Sequence, residues 1–223
     1  MKMSMFRTRT VVLAAAATAA LGAALPTTGA GAAERPAAPA LLEAIAALPV
    51  DTERREGYDR KREFGDWIDA DRDGCNTRAE VLLEEAIEAP TVTGRCTISG
   101  GRWYSYYDDQ YPTTSIDIDH LVPLAEAWDS GAWRWEKSRR VAYANDLSVA
   151  HHLVAVTARS NRSKADKDPA EWMPPYQDAH CRYITEWVGV KTRYGLTVDS
   201  TEKTTLMKVA LGCPDTERAA AQI

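Results

Sequence analysis

The sequence has no C-x-x-C pair, no internal repeat, no excess of positive charge and, past its first residues, no long apolar run. Each absence excludes something. Without C-x-x-C a structural zinc site is not expected. The four cysteines, Cys75, Cys96, Cys181 and Cys213, then read as an even disulfide set in an exported chain, with three possible connectivities. Without a second apolar run, the processed chain is expected to be soluble and to make no membrane contact. Without a cationic excess, a broad electrostatic footprint for nucleic acid is not expected, although a local one is still allowed.

The one apolar run is N-terminal. Lys2, Arg7 and Arg9 precede the Ala-rich stretch from Val11 to Leu25, and Ala30-Gly-Ala32 and Gly31-Ala-Ala33 offer small-residue cleavage sites. This pattern predicts a secretory signal peptide over residues 1–33. The run is short for a membrane span, and its n-region has no twin-arginine pair, so general secretion is expected. Removing residues 1–33 takes away three cations and no anions. The 27 Lys and Arg become 24, against 32 Asp and Glu, a net charge of −8. Residues 34–50 read as an Ala/Pro tether and a short helix, 51–215 as the folded domain and 216–223 as a C-terminal tail. The processed length, about 190 residues, fits one domain.

Periodicity predicts an α+β fold. Leu41, Leu42, Ile45 and Leu48 share one face of a short helix stopped by Pro49. Tyr58–Ile68 and Thr77–Ile87 read as helices flanking a polar loop, and Trp103–Tyr111 as extended chain. Ile116–His120 and Leu153–Thr157 read as strands, with helices at Leu124–Ser130 and Glu136–Asn145 between them. Asp168-Pro-Ala-Glu171 looks like the capped start of a helix. Cys181–Tyr194 reads as a helix ended by Gly195, and Asp199-Ser-Thr-Glu202 caps a last helix that runs to Gly212. If those last two helices are antiparallel, Cys181 lies beside Cys213, which leaves Cys75 for Cys96.

Two segments carry chemistry. Asp117-Ile-Asp-His-Leu-Val-Pro123 puts a histidine directly after a carboxylate. Asn161-Arg-Ser-Lys-Ala-Asp-Lys-Asp-Pro169 follows forty-one residues after His120 and offers an amide with cations one and three positions later. Adjacent strands would bring the two together. Asp119 and Asn161 would hold a divalent cation, Mg²⁺ or Mn²⁺, which accepts few protein ligands. His120 would take the proton of an attacking water, and Arg162 or Lys164 would neutralise charge developing on phosphorus.

This pair of motifs resembles the HNH endonuclease family, with its ββα-metal (His-Me finger) core. It is similar to small secreted actinobacterial members related to the C-terminal nuclease domain of GmrSD-type restriction enzymes, and a similar pair occurs in the HNH domain of CRISPR effector nucleases. The core of the resemblance covers Ile116 to about Trp172, and a looser likeness runs from Tyr58 to Cys213. It implies a disulfide-stapled nuclease domain with extra helices around the core. It also implies a nucleic-acid substrate, DNA before RNA, and products with 5′-phosphate and 3′-hydroxyl ends. By motif position His120 corresponds to the general base, and Asp119 and Asn161 to the metal ligands. The sequence departs from the family at the middle position. His152 stands where an asparagine often braces the histidine loop, and Asn145 lies further upstream.

A second acidic segment supports a different reading. Asp69, Asp71, Asp73 and Glu80, with Gly74, have the spacing of a calcium loop, although Asn76 replaces its usual apolar residue. An exported calcium-binding or adhesion module is therefore one alternative, and a phosphodiesterase of small substrates another. Trp103, Tyr104, Tyr106 and Tyr107 are expected to pack inward rather than stack on bases. His151, His152 and His180 read as structural or surface residues, and Trp133 and Trp135, which flank Arg134, are expected in the core, with the border of the cleft as the alternative.

Overall fold

The computed structural model describes residues 41–149 and 151–214. The expected signal peptide (residues 1–33), residues 34–40 of the expected tether and the expected tail (residues 216–223) lie outside the described residues. Helix α1 (Leu41–Ala47) buries Leu41, Ala44 and Ile45. Helix α2 (Arg60–Phe64) is shorter than its sequence pattern suggests, because Gly65 adopts a positive φ of 75° and ends it after one turn. Asp59 caps it by accepting the Arg62 amide. Helix α3 (Thr77–Glu84) is capped by Asn76.

The hairpin β1 (Thr91–Thr93) and β2 (Thr97–Ser99) was not signalled by alternation, since its side chains are nearly all exposed. The segment Trp103–Tyr111, expected to be extended, is a series of turns held by paired Ser105 and Gln110 backbone bonds. Its aromatics do pack inward: Trp103, Tyr106 and Tyr107 are buried.

Strand β3 (Ile116–His120) pairs antiparallel with β4 (Leu153–Thr157), with His120 opposite Leu153 and Asp119 opposite Val154. Between them come α4 (Leu124–Asp129), a 3-10 turn at Ala132–Arg134 and α5 (Lys137–Ala144). Helix α6 (Ala158–Lys164) starts the moment β4 ends. The helix expected at Asp168 is therefore absent. Asp168 instead caps a turn, accepting the Ala170 and Glu171 amides. Helices α7 (His180–Tyr194) and α8 (Ser200–Gly212) complete the chain.

Strand alternation sorts the β3–β4 ribbon. Ile118, Leu153 and Ala155 pack with Val81, Leu82 and Trp103 on one side, and Val154 and Val156 join the main core on the other. That main core gathers α1, α4, α7 and α8 around Trp187, Ile184 and Leu206. Inside it Lys191 donates to Glu126 (2.6 Å), Glu202 (2.9 Å), Ser130 and the Thr197 carbonyl. Two disulfides close the fold. Cys181–Cys213 joins the start of α7 to the end of α8, and Cys75–Cys96 ties the acidic loop to the β1–β2 turn. Among the described residues, no helix is long and apolar enough to cross a membrane.

Candidate active site

The end of β3 and the body of α6 frame an open cleft of about 520 Å³. Its lining includes Asp119, His120, Asn161, Arg162, Asp166 and Arg60. Helix α6 is fixed at its start. Thr157 caps it by accepting the Ser160 amide, and the hydroxyls of Thr157 and Ser160 both donate to Asp108. A carboxylate at that position also suits the positive end of the helix dipole.

The last residue of β3, His120, is nearly buried at 6 % exposure. Its Nε2 lies 2.9 Å from the Ala144 carbonyl oxygen. A carbonyl only accepts, so Nε2 carries the proton and Nδ1 keeps the lone pair. One ring face is stacked on Trp67, with centroids 5.0 Å apart and planes 5° apart. The His152 ring stands edge-on at 5.9 Å. Burial, then the neighbouring His152 charge, holds His120 well below the ordinary imidazole range. The ring is therefore neutral near pH 7, which is the state a general base needs.

Asp119 points the other way, towards α6. Lys164 Nζ lies 2.8 Å from its Oδ2 and 3.0 Å from its Oδ1, and Tyr107 donates to Oδ2 at 2.7 Å. Lys164 also donates to the His120 carbonyl at 3.0 Å. Burial pushes Asp119 up and Lys164 down, each towards neutrality, and their attraction opposes both. The expectation that Lys164 meets a phosphate is corrected here. The side chain is wholly buried and locks α6 onto β3. Arg162 does face out: its side chain is 77 % exposed, 3.6 Å from Asp117.

Asn161 lines the cleft with Asp119, but its amide donates to Asp117 Oδ2 at 3.1 Å. Alternation puts both carboxylates of β3 on the α6 side. Asp117 is the half-exposed one beside Asn161, and Asp119 is the buried one beside Lys164. A carboxylate and an amide oxygen at an open cleft form a hard donor set with room for water and phosphate, which suits Mg²⁺.

The cleft residues from Ile118 to Asp166 lie inside a segment that matches a known family. The C-terminal domain of the GmrSD restriction endonucleases matches residues 75–209. The chain belongs to this family. An uncharacterized secreted protein of Arthroderma benhamiae is 41 % identical over 161 residues, covering 71 % of this chain and 77 % of its own length. No solved structure matches. As a GmrSD C-terminal-domain protein with a secreted relative and two disulfides, the chain is a secreted member of a nuclease family.

The other candidate residues lie away from this cleft, and Asp69, Asp71 and Asp73 precede the family match at residues 75–209. Asp69, Asp71 and Asp73 converge, with ligand atoms within 4.8 Å of one another. Burial, followed by the charges of Asp71, Asp73 and Asp69, raises Glu80. The loop's carboxylates accept their own neighbouring amides, at Gly74, Asp73 and Cys75. Trp133 and Trp135 do not line the cleft. They carry Arg54, Arg134 and Arg139 on their faces. Sequence reasoning missed Arg60, Asp166 and Trp67. Arg60 and Trp67 reach this region only through tertiary packing of α2 and the chain after it, whereas Asp166 stands inside the second motif, two residues past Lys164.

Proposed function

We propose that this protein is a secreted, metal-dependent HNH-type endonuclease whose β3–β4–α6 unit is a ββα-metal core. It hydrolyses phosphodiester bonds in DNA, with RNA the second substrate to test, and leaves 5′-phosphate and 3′-hydroxyl ends. The observation that carries this reading is the His120 imidazole, held neutral with Nδ1 as its acceptor, in the same cleft as Asn161 and Arg162.

In this mechanism His120 Nδ1 takes the proton of a water as its oxygen bonds to phosphorus and the bond to the 3′ oxygen breaks. Arg162, exposed at the cleft mouth, binds a non-bridging phosphate oxygen. Asn161 and the carboxylates of β3 would hold a divalent cation, Mg²⁺ or Mn²⁺. Asp119 is the ligand implied by motif position, and Asp117 is the one already touching Asn161. When bound, the cation supplies Lewis-acid stabilisation of the phosphate and the leaving oxygen. Lys164 and Tyr107 keep Asp119 oriented.

The calcium-module alternative rests on the Asp69 loop, which lies outside this cleft. The small-substrate alternative draws on the acidity of the chain. Direct Mn²⁺ binding and cleavage of supercoiled plasmid test the proposal together. The wild type is expected to bind Mn²⁺, to nick plasmid with Mg²⁺ and to stop in EDTA. Asn161→Ala should weaken both binding and nicking at least tenfold, and Asp119→Asn and Asp117→Asn rank the two carboxylates. Plasmid left intact by oxidised, folded protein, alongside turnover of a small phosphodiester, would overturn the DNA reading. Unchanged Mn²⁺ binding in Asn161→Ala would remove that residue as a ligand.

A further inference from the structure

The His120 ring is fixed on two sides by adjacent residues of one helix end. The Ala144 carbonyl takes its Nε2 proton at 2.9 Å. The next residue, Asn145, takes hold of the segment that covers the ring. Its Oδ1 accepts the Ile68 amide at 3.0 Å, and its Nδ2 donates to the Asp66 carbonyl at 3.3 Å. These two bonds bracket Trp67, whose indole lies parallel to the imidazole at 5.0 Å. Asn145 also donates to the Val141 carbonyl at 3.0 Å, which anchors it to α5. Ile68 is held from the far side as well, its carbonyl accepting both the amide and the hydroxyl of Thr77.

We propose that Trp67 and Asn145 are positioning residues for His120, with Trp67 covering one face of the imidazole and Asn145 holding Trp67 in place. The proposal rests on the reading of His120 as the base. An imidazole at the end of a strand, next to an open cleft, can swing about its χ angles. The Ala144 bond removes most of that freedom for one edge and leaves rotation about the bond itself. A parallel indole blocks that rotation, and a proton acceptor must hold its aim within a fraction of an ångström to keep its rate. A bracket of two hydrogen bonds around a single residue is costly in side-chain entropy, so it is informative that Asn145 directs both to the flanks of Trp67. The half-buried position of Trp67, at the border of the smaller core cluster, fits a covering role better than a core-filling one.

The test uses the oxidised protein and three variants: Trp67→Leu, which keeps bulk but removes the aromatic face, Trp67→Phe, which restores a face, and Asn145→Ala, which leaves both rings intact. Proton NMR reads the ring-current shift that the indole imposes on the His120 carbon-bound protons. Plasmid nicking reads kcat and KM per folded molecule. Asn145→Ala and Trp67→Leu are expected to lose the ring-current shift. In both, kcat should fall about tenfold to a hundredfold with KM unchanged, and Trp67→Phe should recover most of the rate. The proposal is overturned if Asn145→Ala keeps the wild-type shift, or if both variants only lower the melting temperature while kcat stays at the wild-type value. Wild-type protein that cuts nothing would instead refute the base reading, and the ring-current arm would then still decide whether Asn145 holds Trp67 on the imidazole.

Discussion

Lys191 and Lys164 are both wholly buried, yet they sit in different company. Lys191 has two carboxylates, Glu126 and Glu202, with a hydroxyl and a carbonyl completing its shell. Those charges outweigh burial and raise its pKa. Lys164 has one carboxylate, Asp119, and one carbonyl, and there burial wins and lowers its pKa. The first network joins α4, α7 and α8 in the core. The second fastens α6 to β3 beside His120. A buried charge with surplus partners makes a fixed structural joint. A buried charge with a single partner is close to the balance point, and that balance lies directly under the candidate site.

The largest effect should come from breaking the core joint. Lys191→Met leaves Glu126 and Glu202 buried without their cation and should cost about 3–5 kcal/mol, on the order of 10 °C in melting temperature. Calorimetry checks it, and a loss below about 1 kcal/mol would dissolve the contrast between the lysines.

Acid should act next. Burial lowers His152 to about 4, and among the described residues its Nδ1 has no hydrogen-bond partner. In the unfolded chain the same group titrates near 6.5. The unfolded state therefore binds more protons at low pH. This contribution is intact above about 6.5 and is lost as pH falls towards 4, about 3 kcal/mol in all. Melting curves across that window should show the slope, and His152→Gln should flatten it. His120, lowered for the same reason, adds to the wild-type slope. An unchanged slope in the variant would assign the acid sensitivity to other groups.

Lys164→Met should cost less than its core counterpart, about 1–3 kcal/mol near pH 7. The stranded Asp119 is already raised and can take up a proton, so the deficit should shrink as pH falls. A deficit that stays constant with pH would mean that Asp119 remains charged without its lysine. The smallest stability change belongs to Arg162, two residues earlier and exposed. Arg162→Ala should leave melting unchanged while slowing plasmid nicking about tenfold. Equal rates would take it out of the phosphate-binding role.

Much of this was legible in the sequence, for stated reasons. Strands β3 and β4 alternate cleanly or run apolar between turn signals. Helices α7 and α8 carry helical spacing, with Gly195 and Asp199 as stop and start. The pairing Cys181–Cys213 followed from placing those helices side by side, and Cys75–Cys96 from elimination. Other features depend on tertiary packing that no local pattern encodes. Helix α2 reads as long because Phe64 and Trp67 have helical spacing, but Gly65 ends it and frees Trp67 to lie on His120. Asp168 has every mark of a helix cap and caps only a turn, because the helix has already been spent on Ala158–Lys164 directly after β4. Arg162 and Lys164, one and three residues after Asn161, both read as cations for the phosphate. The helix turns the lysine inward instead, and only the arginine stays at the mouth.

The measurement that bears most directly on the central claim is plasmid nicking by His120→Ala against wild type. It should be run with Mg²⁺ on oxidised protein, with near-ultraviolet circular dichroism confirming equal folding. The account predicts a loss of about 10²–10⁴-fold with the fold unchanged. Nicking within a few-fold of wild type by a folded His120→Ala protein would contradict it.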